Sequence, residues 1–207
     1  MAFARWKQLL CLSGISFLIG LSSPGVVRSE AQPPLTGNGG GLSQEEANRS
    51  YFTDLEVVTH EGERVRFYSD LLKDRVVVIN FFYVNCPTAP PSMGKLFRLQ
   101  SLLGDRLGSE VFIISISVDP ERDTPEEIRE YARKFNPRKG WIFVTGDEKN
   151  MEVINRKLGN TLRLPEGHLR LFLLGNPKAG NWMKMPESAP ANSLGEGLKN
   201  LTGEMPS

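Results

Sequence analysis

The chain has 207 residues, a formal net charge of +1, 40% hydrophobic residues and 24% charged residues. The length suits one ordinary domain, the balance excludes a disordered or collagen-like chain, and the near-zero charge gives no electrostatic basis for binding nucleic acid. Two cysteines, Cys11 and Cys86, exclude a disulfide-rich scaffold and a four-thiolate zinc site.

Residues 1–31 read as an export signal, with an uncleaved N-terminal anchor as the alternative. Arg5 and Lys7 precede the uncharged run Leu9–Leu21, Ser22-Ser23-Pro24-Gly25 breaks it, and Ser29-Glu30-Ala31 is a small-x-small cleavage pattern. The run is shorter than the roughly 20 apolar residues a membrane span needs. Cleavage removes Cys11 and leaves Cys86 as the one thiol, so the mature chain has no internal disulfide. Residues 32–49 are rich in Pro and Gly and read as a flexible tether. A domain then covers 50–202, with a short tail at 203–207.

Within the domain, Tyr51–Thr59 and Arg64–Tyr68 alternate apolar and polar positions and predict a hairpin around His60-Glu61-Gly62-Glu63. Val76–Tyr83 and Val111–Val118 are continuous β-rich apolar runs, the pattern of central strands buried on both faces. Between them, Met93, Leu96, Phe97, Leu99, Leu103 and Leu107 fall at helical spacing. Thr124, Pro125 and Glu127 predict a capped helix start, with Ile128, Tyr131, Ala132 and Phe135 as its buried stripe. Trp141–Thr145 predicts a strand, Asp147 caps a helix carrying Met151, Ile154 and Leu158, Leu169–Leu174 and Asn181–Met185 predict two strands, and Ser193–Leu201 a last helix. Strands alternating with helices, then an antiparallel pair and a helix, give an α/β thioredoxin-like fold. It has a mixed central sheet, helices on both faces and an N-terminal β-hairpin.

Cys86 follows the first central strand among three prolines, at the start of the next helix. A helix N-terminus favours an anion, hence a thiolate, which is both a nucleophile and a soft metal ligand. The alternative, an inert core cysteine, fits less well with a position outside the apolar run. His168, in Pro165-Glu166-Gly167-His168 ahead of a strand, meets Cys86 if the two strands are neighbours; taken alone it reads as an exposed loop histidine. His60 lies in a polar turn and takes no role.

Ser117-Val118-Asp119-Pro120-Glu121-Arg122-Asp123-Thr124-Pro125-Glu126, followed by Tyr131 and Phe135, resembles the signature of the Sco/SenC family of thioredoxin-like copper proteins. Trp141–Gly146, Phe81-Phe82 before Cys86-Pro87, and His168 ahead of Asn176-Pro177 and Gly180 are similar to further family blocks, so the resemblance spans about residues 51–201. It implies a periplasmic protein, or one anchored facing the periplasm, that binds one copper ion through two cysteines and a histidine. Its partner would be a cytochrome c oxidase subunit or another copper protein, and its family role is to deliver copper to, or reduce thiols in, the oxidase dicopper site.

The family loop is Cys-Pro-x-x-Cys-Pro. This chain has Cys86-Pro87-Thr88-Ala89-Pro90-Pro91, with Pro90 at the second cysteine position. Dithiol exchange within the loop is then impossible, and copper falls to Cys86 and His168, with weaker binding. Met93 is a candidate third ligand but fits better as a core residue beside Leu96 and Phe97, and Met183 and Met185 fit strand packing. By the resemblance Asp119 and Asp123 support the site; from the residues alone, Asp123 can help cap the helix at Thr124 and Arg122 can pair with a carboxylate. The chain reads as a copper-binding assembly protein rather than an enzyme. Two other readings stand beside it: a monothiol redox protein acting through Cys86, and an interaction protein without metal.

Overall fold

The computed structural model describes residues 42–86, 91–161, 165–190 and 192–202. The predicted export segment, the tether up to residue 41, the loop stretch 87–90 and the tail lie outside the described residues.

The first described element is a helix, α1 (Gln44–Phe52), inside the segment expected to be tether and overlapping the expected first strand. Ser43 and Glu46 close a reciprocal capping box, supplying the N-terminal amides with acceptors. The helix is held by its far side: the Asn48 side chain donates to the Pro177 carbonyl at 2.8 Å, and Phe52 is buried. The hairpin follows as β1 (Glu56–Thr59) and β2 (Arg64–Arg66). The expected second strand ends early because Phe67–Leu72 forms a π-helical turn that buries Phe67, Tyr68, Leu71 and Leu72.

The chain then runs through β3 (Val76–Phe82), α2 (Pro91–Leu103), β4 (Val111–Ser117), α3 (Pro125–Arg133), β5 (Trp141–Thr145), α4 (Glu148–Lys157), β6 (Leu171–Asn176), β7 (Asn181–Pro186) and α5 (Ser193–Thr202). The sheet order is β2-β1-β5-β4-β3-β6-β7. Strands β3, β4 and β5 are parallel, while β1, β2, β6 and β7 join antiparallel.

Alternate residues of the central strands feed two cores, as the period of two requires. Val78, Phe82 and Phe143 pack under α2, α3 and α5, with Met93, Leu96, Ile128 and Leu198. Val77, Ile79, Phe81, Ile114 and Ile116 pack with α1, α4 and the π-helical turn. The α3 start follows the expected signal in part: Thr124 Oγ1 accepts from the Glu127 amide at 3.3 Å, while the Thr124 amide turns to the Arg122 carbonyl at 3.0 Å. At the N-terminal end of the parallel strands, Gly108 and Gly140 meet with φ of +83° and +99°. A Cβ on Gly140 would lie 2.3 Å from the Gly108 nitrogen, and one on Gly108 2.6 Å from the Lys139 carbonyl oxygen. Among the described residues, no helix is long and apolar enough to cross a membrane.

Candidate functional site

The antiparallel pairing of β3 with β6 sets Val77 opposite Gly175 and Asn80 opposite Phe172. The end of β3 therefore lies beside the start of β6. Cys86, four residues beyond Phe82, and His168, three residues before Leu171, emerge at one edge of the sheet. This is the carboxyl edge of the parallel strands, where open α/β sheets place their sites.

Tyr83 stands between the two. Its hydroxyl is hydrogen-bonded with Cys86, and its ring meets the His168 ring edge-on, with centroids 5.7 Å apart. Burial pushes the Tyr83 phenol up to about 12, reinforced by the bond to Cys86 and by negative charge at Cys86, Glu166 and Asp119. Cys86 is half-buried and its amide reaches back to the Tyr83 carbonyl at 3.4 Å, a tight turn after the strand.

His168 is half-buried at the end of a 3₁₀ turn over Pro165–Gly167. Its Nδ1 lies 2.7 Å from the Pro165 carbonyl oxygen, which also accepts the His168 amide at 3.1 Å. A carbonyl only accepts, so Nδ1 carries the proton and the Nε2 lone pair is left to act as base or ligand. A carbonyl held against one ring nitrogen in this way fixes the ring and its tautomer, as it does for metal-binding histidines.

Asp123 supports the Cys86 loop and does not cap α3. Its Oδ1 accepts from the Val84 amide at 3.1 Å, and its Oδ2 from the Ser117 hydroxyl at 2.6 Å. Burial raises its carboxyl to about 6, the two bonds pulling in the opposite direction. Asp119 pairs with exposed Arg122 at 3.1 Å, as the residue types suggest.

The start of α2 already holds an anion. Glu187 accepts from the Ser92 amide at 3.0 Å and from Arg170 Nε at 2.9 Å. Burial alone would raise this carboxyl, and the bonds from Arg170 and Ser92 hold it below the usual range. Lys95 is bound to the carbonyls of Glu187 and Ala189. Arg170, beside this carboxylate, also senses charge at Cys86.

Tyr131 completes the surroundings. Its ring stacks on Phe82 at 5.3 Å, yet its buried hydroxyl has no hydrogen-bond partner among the described residues. Burial, then negative charge at Cys86 and Asp123, drives its phenol above the usual range. Met93 is buried in the core, and Met183 and Met185 pack against it, so all three methionines serve as packing residues. Among the described residues no three His, Cys, Asp or Glu side chains form a group able to hold a metal ion.

Sequence reasoning brought Cys86 and His168 forward and missed Tyr83, Tyr131, Glu187 and Arg170. Tyr131 is visible in the sequence only as part of a packing stripe and of the family block, and Tyr83, Glu187 and Arg170 carry no motif; the Tyr83–His168 and Ser92–Glu187 contacts join residues far apart in the chain.

A thiol after the first parallel strand, a β-α-β unit, and an antiparallel strand pair followed by a helix define a thioredoxin-like protein. The SCO1/SenC family model matches residues 43–198, and the chain belongs to that family. An SCO2-like protein of Rickettsia conorii is 31% identical over 146 residues, covering 69% of this chain and 67% of that one. The SCO1 protein homolog of Bacillus subtilis is 35% identical over 126 residues, 56% of this chain and 64% of that one. Among solved structures, BsSco, described as a member of the Sco family of cytochrome c oxidase assembly proteins with a disulfide switch, is 27% identical, with a TM-score of 0.59 over 72% of this chain and 91% of that one. ScoI of Arabidopsis thaliana, solved with copper bound, shares the fold at 23% identity, with a TM-score of 0.60 over 72% of this chain and 96% of that one.

Proposed function

We propose that this chain is an exported Sco-type protein, periplasmic or anchored facing the periplasm, that carries one Cu(I) ion on Cys86 and His168. It passes the ion to a cytochrome c oxidase subunit or another copper protein during oxidase assembly. The observation that carries the reading is the His168 Nδ1 contact with the Pro165 carbonyl, which leaves the Nε2 lone pair uncommitted on a residue at the same sheet edge as Cys86.

The donor set fits the metal: a soft thiolate and an imidazole suit Cu(I), which tolerates low coordination. Tyr83 orders both donors from one position. Transfer is an exchange of ligands without electron movement: the copper leaves the Cys86 sulfur and His168 Nε2 for the partner's donors. With Pro90 where the family loop has its second cysteine, one thiolate is missing, so the site holds copper less tightly than a two-cysteine site.

Titration of the protein with Cu(I) against a competing chelator tests this. The expected result is one copper per chain, with affinity reduced by about 100-fold or more in Cys86→Ser. Unchanged affinity in that variant overturns the reading.

The unpartnered Tyr131 hydroxyl and the Tyr83 hydroxyl near the thiol favour a second reading, a monothiol redox protein. The Cys86 sulfur would attack a peroxide oxygen, the O–O bond would break to give sulfenic acid and water, and an external thiol would reset it through a mixed disulfide. Oxidation of Cys86 by peroxide no faster than free cysteine removes this reading. If substituting Cys86 and His168 together changes no phenotype, a metal-free interaction role remains.

A further inference from the structure

Cys86 and His168 sit on separate irregular segments, neither of which has a regular backbone ladder to fix it. A continuous set of buried polar contacts joins them beneath the surface. From the histidine side, the Leu169 amide donates to Asn160 Oδ1 at 3.1 Å, and Asn160 Nδ2 donates to Asn155 Oδ1 at 3.1 Å. Asn155 Nδ2 donates to the Ser117 carbonyl at 3.1 Å. The Ser117 hydroxyl donates to Asp123 Oδ2 at 2.6 Å, and Asp123 Oδ1 accepts from the Val84 amide at 3.1 Å. Leu169 is the neighbour of His168, and Val84 lies two residues before Cys86. Asn155, Asn160, Ser117 and Asp123 are all buried.

Buried polar side chains are costly unless satisfied, and fully satisfied networks rigidify what they join. Two asparagines, a serine and an aspartate buried in one connected set therefore call for a reason. Helix packing gives none, because apolar residues would fill the same space without the desolvation cost. The contacts do more than tie α4 to the sheet: both ends terminate on backbone amides of the segments that carry the candidate ligands.

We infer that Asn160, Asn155, Ser117 and Asp123 form one positioning device that fixes the Cys86 loop relative to the His168 loop, using the end of β4 as the common anchor. The inference rests on the reading of Cys86 and His168 as one ligand pair. It assigns no ligand role to the four residues. They set the spacing of the pair before any ion arrives, which matters most in a site with few donors, where there is no third ligand to pull the loops together.

The test uses the full chain and has one readout that needs no metal. The Tyr83–His168 ring contact gives a proton NMR cross-peak that reports how the two loops sit. We expect this cross-peak to weaken in Asn160→Ala and in Asp123→Ala, and to persist in Asp123→Asn, which keeps an acceptor for Val84 and a polar group facing Ser117. In Cu(I) competition, the two alanine variants should lose about 10-fold in affinity and Asp123→Asn should match the unsubstituted protein. If Asp123→Ala does not fold, Asn160→Ala alone decides. A lower melting temperature with the cross-peak and the affinity intact means that the residues only stabilise the fold, and the inference is overturned. If Cys86→Ser leaves copper affinity unchanged, the ligand reading fails, while loss of the cross-peak in Asn160→Ala still stands as evidence of loop positioning.

Discussion

The two histidines are built almost alike and differ in one contact. His60 sits edge-on to Phe143 with ring centroids 5.6 Å apart, and His168 edge-on to Tyr83 at 5.7 Å. Both are half-buried. The difference lies in what Nδ1 meets. At His60 it accepts the Phe143 amide at 3.3 Å, so the proton is on Nε2 and the ring serves the backbone of β5 where β1 ends. At His168 it donates to the Pro165 carbonyl at 2.7 Å, which leaves Nε2 as the basic nitrogen. The backbone group beside a ring, rather than burial or aromatic packing, sorts a structural imidazole from one available for chemistry.

This contrast is easiest to break by substitution. His168→Ala should reduce Cu(I) affinity by about 100-fold or more in chelator competition while changing unfolding free energy by less than about 1 kcal/mol, since its ring fills no core. His60→Ala should leave copper affinity unchanged. It should cost about 1–3 kcal/mol in denaturant unfolding, because the Phe143 amide loses its acceptor. Reversal of either result would erase the distinction.

Acid sharpens the comparison further. Burial holds His60 below the ordinary imidazole range, so the unfolded chain takes up protons first. The stability it contributes is present above about pH 6.5 and is lost as pH falls through its folded value. Asp123, raised by burial to about 6 in the folded state, well above the ordinary carboxyl range, works in the other direction. Its contribution is fully present below its unfolded value and is lost as pH rises through about 6. Melting temperatures measured from pH 4 to 7 should therefore show a steeper loss on acidification in Asp123→Asn, and a shallower one in His60→Ala.

The smallest expected effect concerns Tyr131, whose ring links Phe82 to the Phe143 beneath His60. Tyr131→Phe removes a buried hydroxyl that has no partner, and should raise stability by up to about 1 kcal/mol in thermal unfolding. A loss of stability would mean that the hydroxyl is satisfied in solution.

Much of this architecture is legible in the chain. The apolar runs at Val76 and Val111, the Thr124-Pro125 start and the Asp147 cap each carry a local signal strong enough to place an element. Helix α1 is harder to read: Ser43 and Glu46 offer a capping box, but almost no apolar stripe follows, and the helix is held by Asn48 reaching a carbonyl 129 residues away. The π-helical turn hides inside what reads as strand alternation. At the site, Cys86 and His168 are each visible, but their common edge follows from β3–β6 pairing, which no local pattern encodes. Asn155 and Asn160 look like the solvated positions of a surface helix and its exit, and only their burial shows otherwise.

The close approach of Gly108 and Gly140 divides the molecule into a closed end and an open one. A side chain on Gly140 would need the space of the Gly108 backbone, and one on Gly108 the space of the Lys139 carbonyl, so neither clash can be relieved by trimming a side chain. At the opposite end, the segments carrying Cys86 and His168 are tied to the scaffold by side chains, Asp123 at the Val84 amide and Asn160 at the Leu169 amide, rather than by backbone packed on backbone.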